Sequence, residues 1–271
     1  MKKASICISL LLIIKYSGAE EPIQVDPHFK LIAHRGGVTD NGKYQENSLE
    51  ALDEAIKRGY TGVEIDIRES KDGVLYLYHN RTFDKDYESN ASGNDLTWSE
   101  IQGLRPLREG GKAPVSLETY CRHAKRKLRD VMIDIKEREP SLAFYQKLEQ
   151  ILEETGFLNS SYFIGHGDYF RGKGPLITML LREKDEFFQK YGEKTKEYYF
   201  LFAGVDEVNG QVLKWCRDND IKVIACANLP FRGKPEPDNF PNAERNIKWL
   251  TEWEVTDYQI DSVYDLFFRE K

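Results

Sequence analysis

Residues 31–79 read LIAHRGGVTDNGKYQENSLEALDEAIKRGYTGVEIDIRESKDGVLYLYH and contain the pattern from which the fold is predicted. Within this stretch, Val63-Glu64-Ile65-Asp66-Ile67 alternates apolar and acidic residues, which is the two-residue period of a β-strand. Glu64 and Asp66 therefore share one face of a predicted strand, and the apolar residues share the other. A short apolar run that ends just before His34 predicts an earlier strand at the start of the stretch.

A β-hairpin is predicted directly after the acidic strand. Asp72-Gly73 stands between two strand-like runs and is typical of a two-residue type I′ turn, in which both central residues have positive φ. A turn of that length places His79 opposite Asp66. The sequence therefore predicts that a histidine returns to the two carboxylates.

Strand and helix patterns alternate along the remainder of the chain. Setting the hairpin aside, the predicted strands begin near residues 31, 63, 131, 162, 176, 198, 222 and 254. Each is followed by a helix or by a gap of helix length, and no linker rich in Pro, Gly or Ser divides the chain. Eight such units predict an α/β fold, a (β/α)8 barrel of the TIM type with a β-hairpin excursion after the second strand.

The N-terminus has the pattern of an export signal. Lys2-Lys3 precedes a largely apolar run over residues 4–14, and Ser17-Gly18-Ala19 resembles a small-residue cleavage site. The apolar run is shorter than the roughly 20 residues that span a bilayer. We therefore expect residues 1–19 to be a signal peptide cleaved after Ala19, residues 20–271 to form a single domain, and the protein to be secreted or periplasmic.

Composition bears on partners and on cysteine chemistry. The 271 residues carry a formal charge of −6, whereas non-specific nucleic-acid binding requires a basic surface, so we expect no nucleic-acid partner. Cys121, Cys216 and Cys226 would remain after cleavage, and none has the spacing of a metal site. Buried thiols are the favoured interpretation, and one disulfide is left open. The sequence gives no indication of the oligomeric state.

Acidic residues lie near the ends of the second and third predicted strands. In a barrel, groups at the C-terminal ends of neighbouring strands meet at one face. Glu64, Asp66 and Asp134 would then form an oxygen-rich pocket, which suits a hard divalent cation, Ca²⁺ or Mg²⁺, better than zinc. The alternative is a structural network in which these carboxylates pair with Arg35, Arg68 and Lys136.

Two histidines and two cations complete the predicted site. His34 and His79 flank the acidic cluster and suit general acid–base catalysis near neutral pH. Arg35 and Lys136 add fixed positive charge for an anionic substrate. A metal, two acid–base groups and two cations together indicate a site for phosphoryl esters.

Seven short motifs occur in order along the chain. They are His34-Arg35-Gly36, Glu46-Asn47-Ser48, Glu64-x-Asp66, Lys71-Asp72-Gly73 with His79, Pro114-Val115-Ser116-Leu117-Glu118, Ile133-Asp134-Ile135-Lys136 and Val255-Thr256-Asp257-Tyr258. In these motifs the chain resembles the glycerophosphodiester phosphodiesterase family over roughly residues 31–265. The resemblance implies a barrel, a bound Ca²⁺ or Mg²⁺, and hydrolysis of a small-molecule glycerophosphodiester to glycerol 3-phosphate and an alcohol.

The resemblance also implies roles for individual residues. Carried over by position, Glu64, Asp66 and Asp134 would hold the metal. Arg35 and Lys136 would bind phosphate oxygens, and His34 and His79 would be the acid–base pair. By similarity, a glycerol hydroxyl of the substrate attacks phosphorus, one histidine protonates the leaving alcohol, and water opens the cyclic phosphate. We expect His34 to be the base and His79 the acid.

Three positions depart from the family pattern. The family usually has His-Asp where this chain has His79-Asn80, Glu where it has Asp134, and Trp-Thr where it has Ala225-Cys226-Ala227-Asn228. The first difference concerns the group that supports His79, and the second concerns the metal. The third concerns the wall that faces the leaving group.

The sequence is also compatible with three other functions. A lysophospholipid or phosphoinositide-type phosphodiesterase would release a cyclic phosphate at a membrane surface. An exposed aromatic lip would favour such membrane-surface contact, and the candidates are Tyr87, Trp98, Tyr169 and Phe170. A glycosidase would use two of the carboxylates, but histidines have no role in that mechanism. The alternative from outside the enzymes is a non-catalytic binding module on the same scaffold.

Overall fold

Eight parallel strands close into a barrel. The computed structural model describes residues 24–39, 42–228 and 239–269. The strands, including the hairpin strand β3, are β1 (Lys30–Ala33), β2 (Gly62–Glu69), β3 (Leu75–Leu77), β4 (Asp130–Ile135), β5 (Ser161–Ile164), β6 (Leu176–Met179), β7 (Tyr199–Gly204), β8 (Val223–Ala227) and β9 (Asp257–Ile260). β1 pairs in parallel with both β9 and β2, which closes the sheet. The predicted (β/α)8 barrel is confirmed. The predicted signal peptide lies outside the described residues, so export stays a prediction.

Helices cover the outside of the barrel, and several of them begin at side-chain N-caps. The described helices are α1 (Leu49–Lys57), α2 (Trp98–Gln102), α3 (Leu117–Ala124), α4 (Leu142–Thr155), α5 (Lys184–Tyr191), α6 (Thr195–Tyr198), α7 (Gly210–Asp218) and α8 (Asn239–Glu252). The hydroxyls of Ser48, Ser116 and Ser141 each accept a hydrogen bond from the backbone N–H three residues later, which satisfies a donor that the helix leaves unpaired. These serines therefore fix where α1, α3 and α4 begin.

The last barrel strand begins later than predicted. The sequence pattern predicts a strand from residue 254, whereas β9 begins at Asp257. Glu254 has a φ of 65°, and the Val255 N–H donates to the carbonyl of Leu250, so these residues form the turn that ends α8. A positive φ in a non-glycine residue is rare and is not readable from hydrophobic alternation.

The barrel interior has an apolar layer beneath the predicted site. Its members are Ile32, Met132, Tyr162, Phe200 and Ile224. Side chains alternate between the two faces of a strand, so Asp134 shares the inward face with Met132 and lies nearer the C-terminal end. Val63, Ile65 and Ile133 face outward and pack in the larger core that includes the helices. The alternation of β2 thus directs its acidic residues into the barrel.

The hairpin after β2 is present, but its register differs from the prediction. The Ser70 N–H donates to the Val74 carbonyl at 3.0 Å, and Gly73 has a φ of 80°, which is a three-residue loop instead of a two-residue turn. The added residue shifts the pairing by one. The Tyr78 N–H donates to the Asp66 carbonyl at 3.0 Å, so Tyr78 is opposite Asp66, and the predicted pairing of Asp66 with His79 was wrong. His79 reaches the site from beyond the end of β3.

The aromatic residues predicted for an exposed lip are largely core. Tyr87 and Phe170 are buried, and Trp98 and Tyr169 are half-buried. Tyr87 packs with Phe83 and other rings beside β3. Within the described ranges, no helix has both the length and the apolar character that a membrane crossing requires.

Two of the three cysteines are buried as predicted, and Cys226 is half-buried. Cys121 and Cys216 are buried, and no disulfide joins them to each other or to Cys226. Burial raises the pKa of the Cys121 thiol to about 12, which keeps it protonated. These two thiols therefore act as small apolar core groups.

Gly37 allows the loop after β1 to pass against α1. It has a φ of 136°, and a Cβ at this position would lie 2.3 Å from the carbonyl of Ala51. We expect Gly37→Ala to lower the free energy of unfolding by at least about 2 kcal/mol, because the backbone must move and the conformation is strained. Chemical denaturation measures the difference.

A second glycine provides the control for that experiment. Gly110 also has a positive φ, of 70°, but a Cβ there has nothing within 4 Å. Gly110→Ala should therefore cost only the backbone term, about 1 kcal/mol. Equal losses for Gly37→Ala and Gly110→Ala would contradict the close approach.

Candidate active site

Three carboxylates meet at the C-terminal end of the barrel. Glu64 and Asp66 extend from β2, Asp134 extends from β4, and Asp66 and Asp134 are direct partners in the parallel register. One oxygen atom of each lies within 4.8 Å of the others. Glu64 and Asp66 are each 1% exposed, whereas Asp134 is half-buried. The structure therefore brings the three predicted metal ligands together.

The two buried carboxylates have opposite electrostatic surroundings. Burial and the charge of Asp66 raise the pKa of Glu64 to about 8, although the Arg35 backbone N–H donates to its Oε2 at 2.8 Å. Burial also opposes ionisation of Asp66. The charges of Lys136 and His79 and a hydrogen bond from Asn47 together outweigh burial, so the pKa of Asp66 is lowered. Asp66 is thus stabilised as an anion and Glu64 is not.

The donor set fits a hard divalent cation. All three groups offer oxygen atoms, which Ca²⁺ and Mg²⁺ prefer. Burial, more than any other cause, raises the pKa of Glu64, and a cation bound here would favour its ionised form. Glu64, Asp66 and Asp134 could therefore hold a metal ion.

Lys136 lies between two of the carboxylates. Its Nζ is 3.0 Å from Asp66 Oδ1 and 2.5 Å from Asp134 Oδ2. Burial lowers the pKa of Lys136, but the two carboxylates outweigh it, and the pKa is raised. Of the salt bridges considered as a structural alternative, those of Lys136 are present. The Arg68 guanidinium donates instead to the backbone carbonyl of His79 at 2.9 Å.

Arg35 presents its guanidinium at the edge of the site. Its Nη1 donates to Glu46 Oε1 at 2.7 Å, and its Nη2 lies 3.4 Å from His79 Nε2. Its buried Nε has no hydrogen-bond partner among the described residues. An unsatisfied buried donor is costly, so an anion bound here would be favoured. This arrangement fits the predicted contact with phosphate oxygens.

His34 is held by a residue that the sequence analysis missed. His34 Nδ1 lies 2.7 Å from Asp261 Oδ1, and its Nε2 lies 3.9 Å from Glu64 Oε2. Burial lowers the pKa of His34, but the hydrogen bond with Asp261 and the charge of Glu64 outweigh it, and the pKa is raised. Asp261 directly follows β9, the neighbour of β1, so its position at a strand end was the available signal.

His79 is supported through an amide. Its Nδ1 lies 3.2 Å from Asn80 Oδ1, and Asn80 Nδ2 donates to Asp86 Oδ2 at 3.3 Å. Burial lowers the pKa of His79, and the charge of Asp66 opposes that effect only in part. The family usually has Asp directly after this histidine, whereas here Asn80 lies between His79 and the carboxylate of Asp86. Asn80 was identified from the sequence as a departure from the family pattern, but its partner Asp86 was not.

Asn47 connects the loop after β1 to the acidic cluster. Its Nδ2 donates to Asp66 Oδ2 at 2.9 Å, and its backbone N–H donates to the Arg35 carbonyl at 2.7 Å. A Cβ on Gly36 would lie 2.6 Å from the Cα of Asn47, so glycine is required for this contact. From the sequence, Asn47 belongs to a motif but has no assigned role. The structure makes it a partner of a predicted metal ligand.

The end of β8 forms the wall at which the chain departs from the family. Cys226 lies there and is half-buried. Asn228 Nδ2 donates to Gln259 Oε1 at 2.8 Å, which joins the ends of β8 and β9. Asn228 therefore places a polar group at this end of the wall.

Sequence comparisons connect this site with one family. The model of the "Glycerophosphoryl diester phosphodiesterase family" matches residues 34–230. Human glycerophosphodiester phosphodiesterase 1 is 43% identical over 75 residues, which is 28% of this chain and 22% of the human protein. A glycerophosphodiester phosphodiesterase of Caldanaerobacter subterraneus is 35% identical over 74 residues, 27% of this chain and 29% of that protein. The chain thus matches about a fifth of the human relative's length.

Solved structures share the barrel over nearly the whole chain. A glycerophosphodiester phosphodiesterase from Thermotoga maritima superposes with a TM-score of 0.64 and 24% identity, covering 89% of this chain and 98% of that one. A second, from Agrobacterium tumefaciens, has the same TM-score and coverages with 19% identity. At these identities the likeness establishes the fold.

Proposed function

Because this chain belongs to the glycerophosphoryl diester phosphodiesterase family, we propose that it hydrolyses glycerophosphodiesters to glycerol 3-phosphate and an alcohol. The observation that carries the proposal is one constellation at the C-terminal end of the barrel. It contains three carboxylates within 4.8 Å, a histidine on each side, and the cations Arg35 and Lys136. Acid–base groups and fixed positive charge around an oxygen-rich pocket suit a phosphodiester.

We assign the metal to the acidic cluster. Glu64, Asp66 and Asp134 would hold Ca²⁺ or Mg²⁺, with Asn47 orienting Asp66. When bound, the cation would act as a Lewis acid that stabilises negative charge on the phosphoryl oxygens. Lys136 and Arg35 would neutralise further charge of the phosphate and hold it in place.

The two histidines would move protons in a first, ring-closing step. A cation at Glu64 would offset the charge that helps to raise the pKa of His34, and a phosphate anion would raise the lowered pKa of His79, which favours a neutral His34 and a protonated His79. His34, oriented by Asp261, takes the proton of a glycerol hydroxyl as that oxygen bonds to phosphorus. The bond between phosphorus and the leaving alcohol breaks, and His79 gives its proton to that alcohol. In the second step, His79 takes a proton from water as the water oxygen bonds to phosphorus. His34 returns its proton to the glycerol oxygen, and the cyclic phosphate opens.

Asp261 is expected to be a positioning residue for His34. We expect Asp261→Ala to lower kcat by about tenfold to a hundredfold, because the imidazole loses the partner that fixes its orientation and tautomer. KM should change less than kcat, since Asp261 is hydrogen-bonded to His34 and acts on Arg35 only through its charge. Steady-state kinetics on glycerophosphocholine, beside a matched surface control Asp218→Ala, measure the effect. A changed KM with unchanged kcat would contradict the assignment.

A substrate panel tests the proposed function. Glycerophosphocholine, glycerophosphoethanolamine and glycerophosphoinositol are each incubated with Ca²⁺, with Mg²⁺ or with a chelator. We expect turnover that the chelator abolishes and one of the cations restores. Chelator-resistant hydrolysis of glycosides would favour a glycosidase, and binding without turnover of any diester would favour a binding module.

A further inference from the structure

A cleft beside the site is not used by the mechanism above. It has a volume of about 320 Å³ and lies between residues 42–50 and residues 77–115. His79, Glu46 and Asn47 are among its lining residues, so the cleft adjoins the reacting groups. Pockets for small molecules occupy roughly 300–1,000 Å³, so this cleft can hold a short group attached to the substrate.

The walls of the cleft are tied together by hydrogen bonds. Gln45 Nε2 donates to the Tyr87 hydroxyl at 2.8 Å, and that hydroxyl donates to the Lys112 carbonyl at 2.9 Å. The Lys112 N–H donates back to Gln45 Oε1 at 3.1 Å, and the Leu77 N–H donates to the Val115 carbonyl at 2.9 Å. These bonds join both sides of the cleft, so its shape is set before a ligand arrives.

The carboxylates that line the cleft already have partners. Glu46 accepts from Arg35 at 2.7 Å, and Glu50 is paired with Lys112. Asp86 accepts from the Tyr78 hydroxyl at 2.8 Å and also from Asn80. A cationic head group would have to displace one of these partners, which is unfavourable.

The tyrosine rings of the cleft are also engaged. The ammonium of Lys43 lies 5.0 Å from the centre of the Tyr44 ring. Tyr78 stacks on Phe83 at 4.9 Å, and Tyr87 meets the same ring edge-on at 5.7 Å. An aromatic cage for a quaternary ammonium needs open ring faces. The cleft therefore does not offer the two features that recognise choline.

Three cations also line the cleft. Lys112 is paired with Glu50, Arg108 donates to the backbone carbonyl of Lys43, and Lys85 is exposed to solvent.

Most of the rest of the lining is apolar and partly exposed. Leu49, Pro106, Ala113 and Val115 are half-buried, and Leu107 at the rim is 57% exposed. Covering such surface is favourable, and an apolar ligand would cover it without an unpaired polar group. The chemistry of the cleft thus fits an alkyl or acyl chain.

The position of the cleft decides which part of the substrate enters it. His79 lines the cleft and is the group assigned to protonate the leaving alcohol, so we place the leaving alcohol at this cleft and not at the end of β8, where the sequence predicted it. We propose that the cleft binds an apolar chain carried by the leaving alcohol, so that the preferred substrates are glycerophosphodiesters of chain-bearing alcohols. This inference rests on the proposed function, since it takes its orientation from the role of His79.

A homologous series of substrates tests the inference. Glycerophospho-n-alkanols from ethanol to decanol are compared by kcat/KM at concentrations where they are monomeric. We expect kcat/KM to rise up to about fourfold for each methylene that enters the cleft, which corresponds to about 0.8 kcal/mol, and then to level off. Glycerophosphocholine should be poorer than the octanol ester. A series that is flat from ethanol to decanol would overturn the inference.

Two variants locate the effect in the cleft. Leu107→Asp adds a charge at the rim and Ala113→Trp fills the interior, so each should reduce the octanol-to-ethanol ratio of kcat/KM at least tenfold. Leu142→Asp is the matched control, because Leu142 is 62% exposed and lies on α4 outside the cleft. It should leave the ratio unchanged. An unchanged ratio in both cleft variants would place the chain elsewhere.

Measuring how tightly the esters bind, apart from their hydrolysis, distinguishes a failure of this inference from a failure of the proposed function. The same series is titrated calorimetrically into the Glu64→Gln protein, which removes a candidate metal ligand and leaves the cleft unaltered. Affinity that increases with chain length, and is lost in Leu107→Asp combined with Glu64→Gln, supports the cleft even if no diester is hydrolysed. Hydrolysis of the ethanol ester without any chain-length dependence of affinity would retain the proposed function and reject the cleft.

Discussion

Glu64→Gln is expected to lower kcat for glycerophosphodiester hydrolysis by about 10²- to 10³-fold while leaving the thermal stability of the metal-free protein unchanged or higher. Glutamine retains an oxygen that can accept the Arg35 N–H but removes the negative charge offered to a cation. Losing one group that stabilises charge in a transition state typically costs that much rate. The activity loss would therefore come from the site and not from unfolding.

The stability half of this prediction follows from burial. Burial and the charge of Asp66 raise the pKa of Glu64 to about 8, so without a cation the folded protein favours the neutral carboxyl at pH 7. A neutral amide of the same shape should fit this position at least as well. Melting temperature in chelator measures the effect, and titration with Ca²⁺ or Mg²⁺ should raise it for the unaltered protein but not for the Glu64→Gln protein.

Glu69→Gln is the control for Glu64→Gln. Glu69 is on the same strand but half-buried, at the end of β2 and outside the cluster of three carboxylates. We expect it to retain activity and the metal-dependent rise in melting temperature. An equal rise in the Glu64→Gln protein would show that Glu64 does not hold the ion.

His79→Ala is expected to lower kcat on glycerophosphocholine by about 10²- to 10⁴-fold, the usual contribution of a general acid. The loss should be much smaller on a glycerophosphodiester of p-nitrophenol, because that leaving group departs without a proton. His34→Ala should remain impaired on both substrates, since the attacking hydroxyl still needs a base. Steady-state rates on the two substrates separate the roles.

A third histidine controls for loss of an imidazole as such. His166 is exposed after β5 and bears none of the contacts described for His34 and His79. His166→Ala should retain activity on both substrates. If p-nitrophenol rescued His34→Ala and not His79→Ala, the two roles would be exchanged.

Local periodicity was sufficient to predict the strand that carries the acidic cluster. The two-residue alternation of β2 determines which side chains enter the barrel, so Glu64 and Asp66 could be assigned to one face from sequence alone. Asp134 followed from the same pattern in β4. The register of the hairpin could not be assigned in this way, because Lys71-Asp72-Gly73 allows a loop of two or three residues and the choice shifts His79 by one position.

Contacts between residues on distant strands of the closed barrel could not be predicted from the sequence. Asp261 meets His34 because β9 pairs with β1, and these residues are 227 positions apart in the chain. Asp86 reaches His79 only through Asn80, inside a segment with little periodicity. Short-range patterns predict secondary structure, whereas such partners depend on how distant strand ends and loops pack.

Product analysis by ³¹P NMR shows whether this site hydrolyses glycerophosphodiesters and whether it needs a metal to do so. Glycerophosphocholine is incubated with the protein and Ca²⁺ or Mg²⁺, with and without a chelator. We expect the diester resonance to be replaced by that of glycerol 3-phosphate, and we expect the chelator to prevent this change. Formation of phosphocholine, or turnover that is indifferent to the chelator, would contradict a metal-dependent glycerophosphodiesterase at this site.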